Sequence, residues 1–366
     1  MPHPEKNPLF DVAIIGAGPA GATLARLIGK SHRTLLVDSR SLRSSPLAAS
    51  REKCCGGLLS PDAQNMLARM GLGVPLSVLV GPQLFTVRTI DLERSRERFY
   101  QRHYINVDRE AFDRYLLSLI PEEVDIRCPA LLKSLKEEGD GVSLTFRDST
   151  GTFREKARVV VGADGAWSRV RRHITGGKDG IPLYIAIQEW NPVPETPPYF
   201  SVVFNRHVTD FYGWTIPKED RILIGAALRP GSDAWRRFRM LKEMLCGLRL
   251  GNLAREKTRG AFIARPLKAS HLLTGRAPLF LIGEAAGFIS PTSAEGLSFA
   301  FRSALAMGEA LQRIDNGLMS RYKSECRSLI TTIRLKFLKL PFMYNPYLRS
   351  LVMASGLKSM KLCRDL

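Results

Sequence analysis

The feature that most constrains this fold is a glycine-rich turn that directly follows an apolar segment. Residues 10–15 predict a buried strand, which runs straight into Gly16-Ala-Gly-Pro-Ala-Gly21. We expect a helix over residues 20–29 and a second strand over residues 34–37, followed at once by Asp38. A strand, a Gly-x-Gly-x-x-Gly turn, a helix and a second strand that ends at an acid are typical of a dinucleotide-binding β-α-β unit.

Each glycine of this turn has a physical role in such a unit. Gly16 allows the tight turn, Gly18 lets the backbone approach a pyrophosphate, and Gly21 lets the helix pack closely on the sheet. The N–H groups at the start of the helix then face the phosphates. Asp38 is expected to accept hydrogen bonds from a ribose hydroxyl. The alternative is a glycine-rich turn without a ligand, and the surrounding pattern argues against it.

Two further glycine motifs follow predicted strands later in the chain. Gly162-Ala-Asp164-Gly165 follows a strand expected over residues 157–161. Gly283-Glu284-Ala-Ala-Gly287 lies between a strand over residues 279–282 and a helix over residues 294–314. Between the two motifs, residues 177–274 alternate short strands with turns rich in Pro and Gly, which indicates a β-rich second domain.

The three motifs together resemble the flavoprotein superfamily that includes p-hydroxybenzoate hydroxylase and the geranylgeranyl reductases. The resemblance implies that the dinucleotide is FAD. No His or Cys stands at a position that argues for a covalent flavin anchor, so we expect FAD to be held noncovalently. The third motif of the superfamily is usually Gly-Asp-Ala-Ala-Gly, whose acid meets the ribityl–pyrophosphate region of FAD, and this chain has Glu284 there. Further cofactor-binding residues implied by the resemblance are Asp164, Gly165, Gly287, the family's FAD-contacting arginine Arg109, and Gly296, whose backbone faces the flavin ring. An ordinary exposed helix arginine is the alternative for Arg109.

The segment Lys53-Cys54-Cys55-Gly56-Gly57 favours the geranylgeranyl reductase branch of that superfamily. These reductases carry a Cys-Gly pair here, usually after Lys-Pro, beside the isoalloxazine ring, and Cys54 stands where the proline is usual. The resemblance implies that Lys53, Gly56 and Gly57 approach the cofactor. It also implies that Cys55 donates a proton or tunes the ring. A small packed thiol is the alternative for Cys55.

A second segment, Tyr212-Gly-Trp214-Thr-Ile216-Pro-Lys218, is similar to the Tyr-x-Trp-x-Phe-Pro-Lys motif that lines the prenyl channel of these reductases. The resemblance implies that Tyr212 and Trp214 belong to the catalytic site and contact the substrate. The alternative is a strand with two core aromatics. The nearest competing family is the flavin-dependent halogenases, which carry Trp-x-Trp-x-Ile-Pro, but Tyr212 and the Cys-Gly-Gly loop favour the reductases.

We therefore predict an α/β fold with a Rossmann-like FAD-binding domain, an inserted β-rich substrate domain and a helical C-terminal tail, as in p-hydroxybenzoate hydroxylase. The FAD-binding domain is discontinuous and comprises residues 8–75, 104–176 and 275–319. The substrate domain comprises residues 76–103 and 177–274, and the basic helical tail comprises residues 320–366.

The net charge of the chain indicates what kind of partner it binds. The 54 Lys and Arg outnumber the 35 Asp and Glu, a net charge of +19 that favours an anionic partner. The tail interleaves basic and large apolar residues, so we expect it to lie on an anionic membrane surface; the alternative is that its apolar residues pack on the FAD-binding domain. The pattern shows no nucleic-acid module and no Cys/His metal spacing, so neither nucleic acid nor a metal is expected. Free cysteines and a polar N-terminus predict a cytoplasmic protein. The basic tail predicts that this protein is peripheral on the inner face of the cell membrane.

The function expected from this resemblance is FAD-dependent reduction of carbon–carbon double bonds in a polyprenyl or isoprenoid lipid. NAD(P)H or a small electron carrier would dock transiently as the reductant, because the chain has one dinucleotide fingerprint. Two alternatives stay open. One is an FAD-dependent monooxygenase of an aromatic or polyketide substrate, and the other is a flavin-binding lipid carrier without turnover.

Overall fold

A computed structural model of the chain describes residues 9–41, 55–248, 250 and 257–361. The described strands, in chain order, are β1 (Phe10–Ile15), β2 (Thr34–Val37), β3 (Leu58–Leu59), β4 (Leu84–Asp91), β5 (Arg96–Asn106), β6 (Asp125–Arg127), β7 (Leu131–Glu138), β8 (Gly141–Arg147), β9 (Thr152–Gly162), β10 (Leu183–Pro192), β11 (Phe200–Phe204), β12 (Gly213–Lys218), β13 (Arg221–Leu228), β14 (Lys257–Ala264), β15 (Gly275–Arg276) and β16 (Leu279–Leu281). The described α-helices are α1 (Pro19–Ile28), α2 (Pro61–Arg69), α3 (Arg109–Ser118), α4 (Arg169–Thr175), α5 (Ala234–Gly247), α6 (Leu297–Ala310), α7 (Leu318–Glu325), α8 (Arg327–Phe337), α9 (Leu340–Tyr344) and α10 (Pro346–Ser355).

The first sheet is parallel at its centre, in the order β16, β9, β1, β2 and β6. Ile14 of β1 lies opposite Leu36 on one side and Val161 on the other, and all three are fully buried. Strands of this kind are apolar throughout because helices cover them. The carboxyl ends of β1, β9 and β16 meet at one edge, so the three glycine motifs predicted from the sequence lie together there.

The second sheet has the order β14, β10, β13, β12, β11, β4, β5 and β3, and its pairs are antiparallel apart from β11 with β4. One face packs on α5, where Phe238 and Leu241 join its core. The other face turns toward the first sheet and carries Tyr212, Trp214 and Ile216. The sequence did not predict α5, which lies within the range expected to be β-rich.

The fold class predicted from the sequence is confirmed: a Rossmann-like sheet with helices, a second β-rich unit and a helical C-terminal region. The strands predicted over residues 10–15 and 34–37 have those bounds. The helix predicted from residue 294 begins at Leu297, because Ala294 has a φ of +49° and Gly296 is the N-cap. No helix among residues 9–41, 55–248 and 257–361 combines the length and apolar character needed to cross a bilayer.

The C-terminal helices pack on both sheets. Tyr322 of α7 and Ile333 of α8 are buried in the core of the first sheet. The Arg349 Nε of α10 donates to the Asp91 Oδ2 at 2.8 Å, and both side chains are buried at the end of β4. Part of the C-terminal segment therefore packs on the rest of the protein, as in the alternative to membrane binding, whereas Leu338 remains exposed.

Candidate flavin site

The glycine turn after β1 leaves an open cradle at the start of α1. Gly16 has a φ of +106°, and a Cβ at Gly21 would lie 1.9 Å from the Gly16 carbonyl oxygen. A Cβ at Gly18, in contrast, would meet no atom within 4 Å. Gly18 is the N-cap of α1, without a described side chain capping it and without an acid in the first turn. Unopposed N–H groups above open space are the arrangement that receives a pyrophosphate.

Asp38 lies beside this cradle, directly after β2. Its Oδ2 accepts a hydrogen bond from the backbone N–H of Ala17 at 2.8 Å. Arg40 donates from Nε to Oδ1 at 3.0 Å and from Nη2 to Oδ2 at 2.9 Å. Asp38 therefore occupies the position predicted for the ribose contact, but it shares its carboxylate with Arg40, which the sequence did not single out.

The second and third motifs meet at Glu284. Its Oε1 accepts a hydrogen bond from the backbone N–H of Ala264 at 3.0 Å, and its Oε2 would lie 3.7 Å from a Cβ at Gly165. Asp164 turns its carboxylate toward α4, where it accepts hydrogen bonds from the Ser168 hydroxyl and the Arg169 N–H. Gly165 and Glu284 thus line a cavity, while the Asp164 side chain caps a helix.

Gly296 and Gly287, two further glycines predicted to approach the cofactor, have different surroundings. Gly296 is the N-cap of α6 and lines the same cavity as Glu284. Gly287 has a φ of +76°, and a Cβ there would lie 2.4 Å from the carbonyl oxygen of His271. Gly287 is therefore required by the left-handed turn and by the close backbone beneath it.

Cys55 and Arg109, predicted as site residues from two separate segments of the sequence, are in contact. The Arg109 Nη1 donates to the Cys55 Sγ at 2.9 Å, and its Nε donates to the Asp113 Oδ1 at 2.8 Å. Burial alone would lower the pKa of Arg109, but the charges of Asp113 and Cys55 reverse that effect and raise it. Arg109 is only 10% exposed, so it is not the ordinary surface arginine of the alternative interpretation.

The two glycines after Cys55 pack against the start of α3 and against the second sheet, which lies in the predicted substrate domain and is called the substrate sheet below. A Cβ at Gly56 would lie 2.4 Å from the Ile216 Cδ1, and a Cβ at Gly57 would lie 2.3 Å from the Val107 oxygen. The Lys218 Nζ donates to the Asn106 Oδ1 at 2.5 Å, to Val107 O at 2.8 Å and to Gly57 O at 3.3 Å. Burial lowers the pKa of Lys218 to about 7. Lys53, predicted to approach the cofactor, lies outside the described residues.

A cavity of about 650 Å³ connects the glycine edge of the first sheet with the inner face of the second. Gly18, Cys55 and Gly296 line it on one side, and Trp214 lines it on the other. The helices α9 and α10 border it through the side chains Phe342, Met343, Val352 and Met353. A neighbouring pocket of about 240 Å³ shares Cys55 and Arg109 with it and extends past Ala17, Arg40 and Asp113.

Tyr212 and Trp214, which the sequence analysis predicts to contact the substrate, both line the cavity, and both also pack in the core. Their ring centroids are 5.5 Å apart. The Tyr212 hydroxyl donates to the carbonyl oxygen of Ser293 at 2.6 Å, and burial raises its pKa. The phenol therefore holds the segment before α6 and stays neutral.

Glu295 is a cavity residue that the sequence interpretation missed. It precedes Gly296, and its carboxylate accepts hydrogen bonds from the Ser298 N–H at 2.8 Å and the Ser298 hydroxyl at 2.7 Å. Burial raises its pKa. The signal was an acid directly beside the glycine expected to face the flavin ring.

These residues fit FAD. The open position above Gly18 and the start of α1 would hold the pyrophosphate, and the smaller pocket beside Asp38 and Arg40 would hold the adenosine half. The cavity wall between Cys55 and Gly296 would then take the ring system. Among the described residues, no group of three or more His, Cys, Asp or Glu side chains could hold a metal ion.

Comparison with known proteins agrees with this geometry. A family model described as an FAD binding domain matches residues 10–182. The protein CbrA of Escherichia coli strain K12 is 36% identical over 356 residues, which cover 97% of this chain and 99% of CbrA. CbrA of Shigella sonnei strain Ss046 has the same identity and the same coverage.

Two solved structures show the same fold. A geranylgeranyl bacteriochlorophyll reductase-like protein from Thermoplasma acidophilum has a TM-score of 0.68 at 20% identity and covers 96% of this chain and 88% of its own. PqsL, a probable FAD-dependent monooxygenase from Pseudomonas aeruginosa, has a TM-score of 0.70 at 18% identity, with coverages of 95% and 100%. Likeness at this level of identity concerns the fold alone.

Proposed function

This chain belongs to the family of FAD-binding oxidoreductases that contains CbrA, and from that premise we propose that it reduces carbon–carbon double bonds of an isoprenoid lipid. The observation that carries the proposal is a single cavity. Its walls hold the Cys-Gly-Gly loop on one side and the aromatic pair Tyr212 and Trp214 on the other. An apolar chain in this cavity would lie between the flavin site and the substrate sheet.

The cavity wall suits a long apolar substrate. Its side chains on the substrate sheet are largely apolar, and they include Val87, Phe200, Val202, Ile216 and Ile263. When bound and reduced, FAD supplies a hydride. An isolated double bond is a poor hydride acceptor, so the protein has to position it and exclude water from it. In this proposal the aromatic pair positions the chain, and α9 and α10 limit the access of water.

The reaction also needs a proton, and two side chains of the wall are suitably placed. Cys55 is held at its sulfur by Arg109, whose charge favours the thiolate and suits a role in tuning the ring. Glu295 has a pKa raised by burial, so it holds its proton at higher pH than an exposed glutamate does. We therefore assign proton donation to Glu295 and electrostatic tuning to Cys55.

The reductant and the location complete the proposal. NAD(P)H or a small electron carrier would dock transiently to reduce the flavin. The exposed leucines Leu338 and Leu351 stand among exposed basic residues of residues 320–361, where Glu325 is the one acid. Such a surface suits an anionic membrane that stores an apolar substrate.

The test is lipid analysis of cells with and without the protein. We expect prenyl lipids that gain two hydrogen atoms only when the protein is present. The Glu295→Gln variant should retain FAD and lose most of this product. The control Glu309→Gln, on the exposed side of α6, should retain both FAD and the product. Substrate-coupled oxygen uptake would favour a monooxygenase instead, and an unchanged lipid profile would favour a binding protein without turnover.

A further inference from the structure

Two buried polar atoms in the cavity wall have no hydrogen-bond partner among the described residues. They are the Trp214 Nε1 and the Gln188 Oε1, on side chains that are 7% and 1% exposed. Both residues line the cavity of about 650 Å³. Buried polar groups are nearly always hydrogen-bonded, because an unpaired one retains its full desolvation penalty. A bound molecule could supply the missing partner.

The strand register brings these two atoms to the same place. Gly225 of β13 lies opposite Gln188 of β10 on one side and opposite Trp214 of β12 on the other. The indole lies flat over Gly225, since a Cβ there would be 2.4 Å from the Trp214 Nε1. Cross-strand neighbours on one face have Cβ atoms about 5 Å apart. The indole N–H and the amide of Gln188 therefore border one spot above Gly225.

The surroundings of this spot are apolar. On the same face, Ala186 precedes Gln188 by two residues, and Ile216 follows Trp214 by two. Val202 lies opposite Trp214 on the next strand. None of these side chains can accept or donate a hydrogen bond. A mostly apolar pocket with a few polar groups at fixed positions is the usual way in which a protein orients a ligand.

The opposite face of the sheet provides a contrast. Glu189, next to Gln188 in β10, points the other way and pairs with Lys242 of α5 at 2.5 Å. Thr215, next to Trp214, also points away from the cavity, and its hydroxyl has no partner among the described residues. Thr215 therefore offers a matched control, an unpaired buried hydroxyl that a cavity ligand cannot reach.

We infer that Trp214 and Gln188 recognise a hydroxyl group on an otherwise apolar substrate, an inference that rests on the proposed lipid-reducing function. The hydroxyl oxygen would accept a hydrogen bond from the Trp214 indole N–H, and the hydroxyl O–H would donate one to the Gln188 Oε1. This assigns Trp214 a polar role in addition to its packing. The substrate class is narrowed from isoprenoid lipids in general to isoprenoid lipids that place an alcohol group within the cavity.

The experiment compares farnesol with farnesene, an isoprenoid alcohol and a hydrocarbon of matching skeleton. Each is equilibrated with the FAD-loaded protein by dialysis, and the bound probe is quantified by mass spectrometry. We expect farnesol to bind about tenfold more tightly than farnesene. Gln188→Met and Trp214→Phe should abolish most of this preference, and Thr215→Val should preserve it. Val202→Phe, which fills the cavity, should release both probes.

The other outcomes distinguish a failure of the hydroxyl assignment from a failure of the proposed function. Equal affinities in the wild type, or a preference that survives in both Gln188→Met and Trp214→Phe, would overturn the hydroxyl assignment. If farnesene still bound and Val202→Phe still released it, the apolar cavity and the proposed function would stand. Binding of neither probe, or binding unaffected by Val202→Phe, would contradict the lipid function and with it this inference.

Discussion

The Arg109 Nη1 lies 2.9 Å from the Cys55 Sγ, although the two residues are 54 positions apart in the chain. The contact joins the start of α3 to the Cys-Gly-Gly loop at the junction of the two cavities. Asp113, one turn further along α3, holds the guanidinium in place through its Nε. A cationic group at a cysteine sulfur stabilises the thiolate, so this pair is a local source of charge beside the candidate ring site.

The first prediction concerns that charge. Cys55→Ser should shift the visible spectrum or the redox potential of the bound flavin while leaving the melting temperature within about 2 °C, since a small isosteric change at a half-buried site is nearly neutral for stability. Cys128→Ser, at another half-buried free cysteine, is the control. If Cys55→Ser changes neither the flavin spectrum nor its redox potential, Cys55 is a packed thiol without an effect on the cofactor.

The second prediction separates two glycines of the same turn. Gly18→Val should yield stable, colourless protein, because its side chain would enter open space that the pyrophosphate needs. Gly21→Ala should destabilise the fold itself by several kcal/mol, since its Cβ would overlap the Gly16 carbonyl. The ratio of flavin to protein absorbance and the melting temperature distinguish the two. Unchanged FAD affinity in Gly18→Val would remove this turn from the site.

The third prediction concerns Lys218 and pH. Its pKa in the folded protein is about 7, below the usual 10.5. Between these values the unfolded chain binds more protons, so the contribution of Lys218 to stability rises with pH by at most about 1.4 kcal/mol per unit. The free energy of unfolding of the wild type relative to Lys218→Met should therefore rise from pH 7 to pH 10. A flat difference across that range would mean that Lys218 titrates normally.

The fourth prediction concerns the anchor of the C-terminal helices. Arg349→Met should leave the Asp91 carboxylate buried without its cation and cost roughly 3–5 kcal/mol of stability. The double variant Asp91→Asn/Arg349→Met should recover part of that loss. Thermal unfolding measures the cost, and limited proteolysis reports whether α10 is released. If the double variant is no more stable than the single one, the ion pair is not what holds the helix.

The first sheet could be predicted well because its strands and glycine turns are each recognisable from a few consecutive residues. The run of apolar residues over residues 10–15 predicts a strand, and the glycine turn follows it directly in the sequence. The contacts between Cys55 and Arg109, or between Gln188 and Trp214, depend instead on how distant strands align. No local pattern carries that information. The resemblance to known flavoproteins named three of these four residues, and Gln188 became visible only in the register of β10 with β13.

Two further features depend on packing that the local sequence does not show, namely the helix α5 and the partial burial of the C-terminal segment. The helix α5 lies among short strands rich in turn residues, although its buried residues Phe238, Leu241 and Leu245 recur at helical spacing. The C-terminal segment was expected to lie on a membrane because of its composition. Composition does not reveal which apolar side chains are buried, and Tyr322 and Ile333 prove to be part of the core.

The last prediction tests the membrane proposal without disturbing that core. Removing the whole segment after Gly317 would delete Tyr322 and Ile333 and expose the core of the first sheet on which they pack, so loss of binding after truncation would be uninformative. Leu338 and Leu351 are each 68% exposed, and the double variant Leu338→Gln/Leu351→Gln leaves the buried side chains in place. Leu76→Gln/Phe85→Gln, at exposed sites outside the C-terminal helices, is the matched control.

We expect the wild type and the control to sediment with anionic vesicles at low salt. The Leu338/Leu351 variant should bind more weakly, because each exposed leucine loses roughly 1 kcal/mol or more of insertion free energy. High salt should release all three proteins, since basic residues near an anionic surface act through screened charges. Binding that is absent in the wild type at low salt, or equal in both double variants, would mean that these helices serve only to border the cavity.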